Sequence, residues 1–584
     1  MMQKYSLILV LLCGALFGTF GTSAQTEDEA TGGRPWDLKD TERAGLFTFY
    51  DTPAQSSTTG QPLAAGDFDG NGCGDVAVAG QNASVFGSEG LRTNAGHLRI
   101  IMNLCQIGGR IALEENTSLS HIVLTINGAQ ADDMAGTEVY VDDFNNDGYD
   151  DLLFGAQNSA GHSGDRPNAG AAYLVLGSSD FADQGTLDLL ASSANVITFY
   201  GAAREDRFGI WVDGGDFDRD GYADLLIGAN QADGEAGARI NAGEAWIIYG
   251  SSNLTDDYIS PIDMAHPPST ATRIIGADPD DLLGSTTLGG DLNNDGYDDV
   301  IVSAALWRGS AGLGGLDFGG GDGPGNGRFN SGDTFIIFGR SSLRGKVIDL
   351  ASLLGNSGVP INEQVAVVYG ADANDLLGEE IAIGDLNGDG KNDLVLGTLV
   401  AAGLNNWMEA AGEAWVIYGK QPFPGRMIDL ANPPQDQALV IYPDQPDSKG
   451  GDILRLADID GDGIDDLFYG APNYDPVGYD LLVRQNAGML AVIFGQSGDL
   501  PNTGGYILLP SNLEDLRISY VIGADAEDMM AYGLAVYDVD GDEIPDIIPN
   551  GMGGDGLNND QINAGEIYVI SGAEFMSVER NKPN

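Results

Sequence analysis

Histidine, cysteine and basic side chains are scarce in this chain of 584 residues, which has four His, three Cys and 27 Lys plus Arg. The histidines, His97, His121, His162 and His266, show no metal-ligand spacing, which argues against a His-built zinc or iron centre. No G-x-S-x-G nucleophile elbow occurs. The 87 Asp and Glu leave a formal charge of -60. That field repels phosphate backbones and anionic lipid, so neither nucleic acid nor a membrane surface is expected as a partner. After the first 24 residues no apolar run approaches the length of a bilayer span. No segment has both the length and the 3.6-residue period of a packed helix.

The start of the chain supplies a compartment. Lys4 is followed by an almost wholly apolar stretch from Tyr5 to Phe20 and by the small residues Thr22, Ser23 and Ala24. This reads as a signal peptide over residues 1–24, and the mature chain is then expected to be secreted or held at the cell surface or in the periplasm, without membrane insertion. Cys13 would leave with it. Cys73 and Cys105 either pair or stay as two small thiols, and the sequence leaves both open.

What is abundant is glycine, 86 residues, beside 42% hydrophobic residues. This is the composition of a folded, turn-rich β protein rather than of an acidic disordered one. One nine-residue element recurs seven times, with starts 76, 73, 75, 94, 73 and 80 residues apart. Position 1 is Asp67, Asp143, Asp216, Asp291, Asp385, Asp458 or Asp538. Position 3 is Asp69, Asn145, Asp218, Asn293, Asn387, Asp460 or Asp540, and position 5 is Asn71, Asp147, Asp220, Asp295, Asp389, Asp462 or Asp542. Position 7 varies: Cys73, Tyr149, Tyr222, Tyr297, Lys391, Ile464 and Ile544. Position 9 is Asp75, Asp151, Asp224, Asp299, Asp393, Asp466 or Asp546. Position 6 is glycine except in the seventh copy, where it is Glu543.

Alternate carboxylate and amide oxygens around a glycine bend, with a carbonyl available at position 7, make the all-oxygen shell a calcium ion prefers. Zinc would need His or Cys, and magnesium a stricter octahedron. The helical calcium loop shares the opening pattern but requires Glu at position 12. Here that position is Val78, Phe154, Ile227, Val302, Leu396, Tyr469 or Pro549, at the start of an apolar run. The elements are therefore expected to be β-hairpin loops, binding up to seven Ca2+, with the Glu543 copy the weakest.

Each period holds four strand-like pieces, in the third repeat Phe208 to Gly214, Leu225 to Gly228, Ala245 to Tyr249 and Ala271 to Ile275. The expected fold is all-β, a seven-bladed propeller of four antiparallel strands per blade. The last repeat stops after its third strand, Glu566 to Ile570, while Leu46 to Tyr50 resembles the fourth-strand segments Val196 to Tyr200 and Val365 to Tyr369. Leu46 to Tyr50 is thus expected to complete the seventh blade and hide two strand edges. The domain reading is residues 25–44 as a flexible segment, 45–572 as the propeller and 573–584 as a tail.

With Phe208-Gly209 before the third loop, Gly228-Ala229 after it and Gly470-Ala471-Pro472 after the sixth, the repeats resemble FG-GAP repeats, the blades of the integrin alpha-chain N-terminal propeller and of related bacterial surface proteins. The resemblance covers residues 45 to 572. It implies an extracellular adhesion or ligand-recognition module, acting as a monomer by binding rather than catalysis, on a protein or glycan ligand. The alternative is a calcium-dependent lectin or polysaccharide-active lyase or hydrolase. In an up-and-down blade the metal loops share one face. The opposite face collects the loops that bear Trp307, Arg308, Asp317, Phe318 and Arg328, Trp407, Tyr474, Tyr479 and Arg484, and His162 and Arg166, which are the candidate ligand contacts. The Asn-Ala-Gly turns that start at Asn94, Asn168, Asn241, Asn486 and Asn563 are expected to serve backbone geometry only.

Overall fold

The computed structural model describes residues 35–580 except 41–43, 51–61, 88–89, 107–109, 113–122, 192, 308–317, 356, 435–436, 503, 512, 514 and 556–562. The expected signal peptide, Arg308 and Asp317 lie outside these residues.

Second and third strands such as Asp151–Ala156 and Ala171–Val175 are buried at every position. Each is covered on both faces by neighbouring blades, which is why they read as unbroken apolar runs rather than as alternating ones. First strands such as Val139–Asp142 are only partly buried. Seven blade sheets result, beside a two-stranded hairpin of Val85–Gly87 and Gly90–Arg92, and between each successive pair of blades lies one hydrophobic cluster, seven in all. The cluster at the ring's seam joins Phe49, Ile567 and Val569 of blade 7 to Leu63 and Val76 of blade 1. The fold is a seven-bladed β-propeller.

The ring closes as its ends predict. Leu46–Tyr50 pairs antiparallel with Glu566–Ile570, Leu46 opposite Ile570 and Tyr50 opposite Glu566. It is the fourth strand of blade 7.

Each blade has the four antiparallel strands expected, and one more. A fifth, short strand lies parallel to the fourth on each blade, supplied by the next blade's connection between its third and fourth strands. These straps are Thr186–Asp188 on blade 1, Ile262–Asp263 on blade 2, Val347–Asp349 on blade 3, Met427–Asp429 on blade 4, Tyr506–Leu509 on blade 5, and Arg110–Ala112 on blade 7. Blade 6 is strapped by Trp36–Asp37, which pairs with Val521 and Ile522. The segment expected to be flexible therefore contains a buried strand, with Trp36 and Leu38 in the cluster between blades 6 and 7. The expected tail is likewise a helix, Gly572–Arg580, whose Phe575 and Met576 enter the same cluster beside Trp36. Both segments fold because the seam of the ring would otherwise expose a strand edge and an apolar face.

The repeat's glycines mark where neighbouring blades meet. Gly209 has φ +83°, a left-handed value few other residues adopt at low cost. A Cβ at Gly155, in the second strand of blade 2, would stand 1.7 Å from the Gly209 carbonyl oxygen of blade 3.

Candidate metal centres and the opposite face

Each nine-residue element is the turn between the first and second strands of its blade, and all seven share one hydrogen-bond network. The position 1 carboxylate accepts from the amides of positions 5 and 6. In the second loop Asp147 N and Gly148 N donate to Asp143 at 3.0 and 2.8 Å. In the sixth, Asp462 N and Gly463 N donate to Asp458 at 3.1 and 2.8 Å. The position 5 oxygen accepts from the position 7 amide, as in Tyr149 N to Asp147 at 3.1 Å. Position 9 opens the second strand and is buried in every copy. It ties the loop to the end of the third strand: Gly177 N donates to Asp151 at 2.8 Å, Gly250 N to Asp224 at 2.9 Å and Gly419 N to Asp393 at 2.8 Å. Cys73 and Cys105 are disulfide-bonded, with their Cα atoms 5.4 Å apart, and fasten the first loop to the same place.

Position 3 accepts from the position 5 amide in the first, fifth and sixth loops, but in the other four one of its oxygens is left over. The Oδ1 atoms of Asn145, Asp218, Asn293 and Asp540 are buried without a hydrogen-bond partner, a costly state for an oxygen unless something else meets it. The carboxylates of Asp67, Asp69 and Asp75 lie within 4.8 Å of one another, as do those of Asp216, Asp218 and Asp220, of Asp458, Asp460 and Asp466, and of Asp538, Asp540 and Asp542. Convergent oxygens with unmet valence fit a hard cation. Burial, together with the neighbouring loop carboxylates, pushes the position 9 carboxyls up to about 7 at Asp75, Asp393, Asp466 and Asp546 and to about 8 at Asp151, Asp224 and Asp299. Two loops are also met by guanidinium groups, Asp218 and Asp220 by Arg344 and Asp460 by Arg517. The seventh loop keeps the network, with Glu543 N donating to Asp538 at 2.8 Å from a backbone at φ +67°.

Position 8 has a role that its variable chemistry concealed. Asp150, Asp298 and Asp465 each accept from the position 1 amide of the preceding blade, at 2.7, 2.7 and 2.8 Å. The loops of blades 1 and 2, 3 and 4, and 5 and 6 are thereby stitched together.

The opposite face corrects part of the expected ligand set. Arg484 is buried and forms a bidentate pair with Asp37 at 2.6 and 2.8 Å, donating also to Gly523 O at 2.7 Å. Arg328 pairs with Asp429 at 2.6 Å and donates to Gly370 O. Arg166 pairs with Asp263 at 2.8 Å. These arginines hold the straps and are committed to ion pairs with them. Arg92 with Asp188, at 2.8 Å, and Arg239 with Asp349, at 2.7 Å, complete a set of five. Tyr474 is buried, its hydroxyl 3.0 Å from Asp444. Tyr479 is exposed and donates its hydroxyl to Pro35 O. Trp307 closes the second strand of blade 4, Asp299–Trp307, and its side chain lies outside the described residues. Trp407 stands 84% exposed.

The clamp does have a sequence signal. An Arg-x-Asn-[Ala or Ser]-Gly stretch precedes the third strand at Arg92, Arg166, Arg239, Arg328 and Arg484, and a Leu-, Ile- or Trp-Asp pair recurs at Asp188, Asp263, Asp349, Asp429 and Asp37. The Asn of the turn has a left-handed backbone, with φ of 48° at Asn94 and 50° at Asn241, and beyond the backbone role expected of it its side chain donates to a nearby acid, Asn94 to Asp132 at 3.0 Å and Asn241 to Asp280 at 2.9 Å.

Comparison with known proteins agrees with this geometry. The FG-GAP repeat family matches at residues 135–175, 208–248 and 450–493, which fall in blades 2, 3 and 6. Three of the seven blades thus match FG-GAP repeats. Integrin alpha-5 of Xenopus laevis is 30% identical to it over 200 residues, 34% of this chain and 17% of that protein. The chain thus spans less than a fifth of the length of this curated relative. Among solved structures, an Agrocybe aegerita lectin that recognises non-reducing terminal N-acetylglucosamine aligns with a TM-score of 0.32 and 13% identity, over 80% of this chain and 86% of that one. Among the described residues no helix is long and apolar enough to cross a membrane.

Proposed function

We propose that this FG-GAP propeller is an exported calcium-binding module that recognises a protein or glycan ligand outside the cell, acting by binding rather than catalysis. The observation that carries the calcium assignment is the set of buried loop oxygens without partners, at position 3 in four loops and at position 9 in the fourth, Asp299 Oδ2. In the bound state Asp or Asn at positions 1, 3 and 5, the position 7 carbonyl and Asp at position 9 would hold the ion, and the ion would offset the crowding of carboxylates in each loop. Export is supported by the apolar start of the chain and by the disulfide, which persists in oxidising compartments.

Recognition is assigned to the face away from the metal loops. There the turns between second and third strands present Trp407, Phe329 and Ile240 to solvent, and exposed aromatic and apolar tips of this kind are typical anchors of binding surfaces. The resemblance to the integrin alpha propeller supports adhesion as the setting.

Calorimetric titration of the chelator-stripped protein with calcium tests the first half of this reading, with several sites expected to fill. No uptake of calcium by the folded protein would end it. Screening extracellular-matrix proteins and a glycan array in calcium, with the wild type beside Trp407→Ala, tests the second. Hits that survive unchanged in Trp407→Ala would move recognition off this face.

A further inference from the structure

Positions 1, 3, 5 and 9 do not carry the same charge in every loop. Loops 1, 2, 4 and 5 have three aspartates and one asparagine there, the asparagine being Asn71, Asn145, Asn293 and Asn387, whereas loops 3, 6 and 7 have four aspartates. Two of the three loops with a fourth carboxylate are the two that a guanidinium meets. Arg344 donates Nε to Asp218 and a second nitrogen to Asp220, and Arg517 pairs with Asp460. Among the described residues no cation pairs with the carboxylates of loops 1, 2, 4 and 5 at these positions. In a chain with 27 basic against 87 acidic residues, cations are thus placed where the loop charge is in excess.

The two arginines reach their loops by different routes. Arg344 lies in the turn before the strap Val347–Asp349, so that blade 4 delivers it to the loop of blade 3, and its counterpart in the blade 5 connection is Pro424. Arg517 stands immediately before the fourth strand of its own blade, Ile518–Ile522, where blades 2 to 5 have Asn195, Ala271, Gln364 and Gln437. Inheritance of one repeat does not account for two unrelated positions that supply the same charge. Each guanidinium lies over the ring that follows the third strand of the receiving blade, Arg344 over Tyr249 at 4.5 Å and Arg517 over Phe494 at 3.7 Å. Blade 5 has the ring, Tyr418, with Lys420 over it at 5.0 Å. Its loop has Asn387 in place of a fourth aspartate, and Lys420 pairs with Asp499 outside the loop.

The pairs leave the ion's own contacts open. Asp218 gives Oδ2 to Arg344, while its Oδ1 is one of the buried oxygens without a partner. Arg344 and Arg517 are 37% and 44% exposed, and exposed ion pairs add little to the stability of a fold. A positive charge beside a divalent cation repels it with twice the energy of a unit pair at the same distance.

We infer that Arg344 and Arg517 set the calcium affinity of the third and sixth loops, each cancelling a fourth carboxylate so that loops 1 to 6 all offer the ion three net negative charges. The seventh loop keeps four, with no cation paired to it among the described residues. This inference rests on the proposed calcium binding and concerns how those same sites are tuned.

The test is calorimetric titration of the chelator-stripped full chain with calcium, beside thermal melts in chelator. Arg344→Gln and Arg517→Gln should each tighten one site about tenfold and lower the melting temperature in chelator, where the freed carboxylates repel one another. Raised salt should narrow the difference in affinity from the wild type. Asp218→Asn should weaken one site, and Asp218→Asn combined with Arg344→Gln, which reproduces the charge of loops 2, 4 and 5, should return the wild-type isotherm. If either loop 3 variant fails to fold, Arg517→Gln with and without Asp460→Asn makes the same comparison in loop 6. Arginines with only a structural role would leave the isotherm unmoved and lower the melts equally with and without calcium, which would overturn the inference. A double variant that binds calcium no better than Asp218→Asn alone would overturn it too. No calcium uptake by the folded wild type would end both this inference and the proposed calcium binding, whereas uptake with unchanged affinity in both Gln variants would end this inference alone.

Discussion

Arg484 in blade 6 and Asp37 in the N-terminal strap are joined by two hydrogen bonds, of 2.6 and 2.8 Å, across 447 residues of chain, with side chains 6% and 2% exposed. This pair fixes the N-terminus to the ring. Burial opposes the charge on Asp37, yet the bonds from Arg484 and from the Tyr479 and Lys39 amides hold its carboxyl below the usual range. A buried pair of this kind is costly to break, because one partner's loss strands the other's charge. Blade 5 shows the apolar alternative. Met408 stands in the arginine's place, its amide making the same turn bond to Ala402 O at 2.9 Å, and Leu508 stands in the aspartate's, opposite Tyr442 as Asp429 is opposite Tyr369. Arg484→Ala or Asp37→Ala alone should therefore cost about 3 to 5 kcal/mol. The double change Arg484→Met with Asp37→Leu should recover most of that in denaturant unfolding. A double variant no more stable than the singles would mean that the pair is not the unit.

The strap extends what the N-terminus contributes to closure. Deleting residues 45–52 removes the fourth strand of blade 7, and deleting 35–40 removes only the strap with Trp36 and Leu38. Both deletions bare apolar surface in the cluster between blades 6 and 7 and leave a strand edge uncovered. Either truncate should melt well below the intact chain and aggregate on heating, with the 45–52 deletion the more severe. A 35–40 deletion that melted like the intact protein would reduce the strap to a passive contact.

The blades and their closure were legible because they repeat. Seven copies of one spacing mark seven turns between strands, and Leu46 to Tyr50 announces itself by likeness to Val196 to Tyr200. The straps escaped because strands such as Ile262–Asp263 are too short for any period, and their pairing partner lies in the preceding blade. Arg328 and Arg484 misled for a related reason. An arginine in a loop looks the same in sequence whether its guanidinium meets solvent or a buried aspartate, and only the recurrence of Arg-x-Asn together with Ile-Asp separates the two. Position 8 was illegible because its partner, the position 1 amide, is a backbone group in another repeat.

Glu543 occupies the position that glycine takes in the other six loops, at φ +67° where Gly463 has +86°. A non-glycine residue with a left-handed backbone costs about 1 kcal/mol, and nothing in the seventh loop relieves it, since the Glu543 amide makes the same bond to Asp538 as the glycines make. Glu543→Gly should raise stability by up to about 1 kcal/mol, partly offset by the added freedom of glycine in the unfolded chain. It should also raise the calcium affinity of that loop. Unfolding in denaturant at saturating calcium measures the first effect, and a drop in stability would show that the Glu543 side chain makes a compensating contact.

Calcium binding as proposed would be coupled to pH through the position 9 aspartates, with a sign that differs between the metal-free and metal-loaded protein. In the unfolded chain these carboxyls titrate near 3.9. In the folded, metal-free chain burial holds their protons to about 7 or 8. Between those values the folded state binds more protons, so stability without metal falls as pH rises through this window. A bound cation removes the reason for the protons, since ligands must be deprotonated to coordinate it. The stabilisation by calcium should therefore be small near pH 5 and grow toward pH 8. At free calcium ten times the dissociation constant each filled loop adds about 1.4 kcal/mol. Thermal melts across pH 5 to 9, with calcium or with chelator, should diverge as pH rises, and magnesium should restore less than calcium does. Curves that stay parallel across that range would show that the position 9 carboxyls take no part in holding the ion.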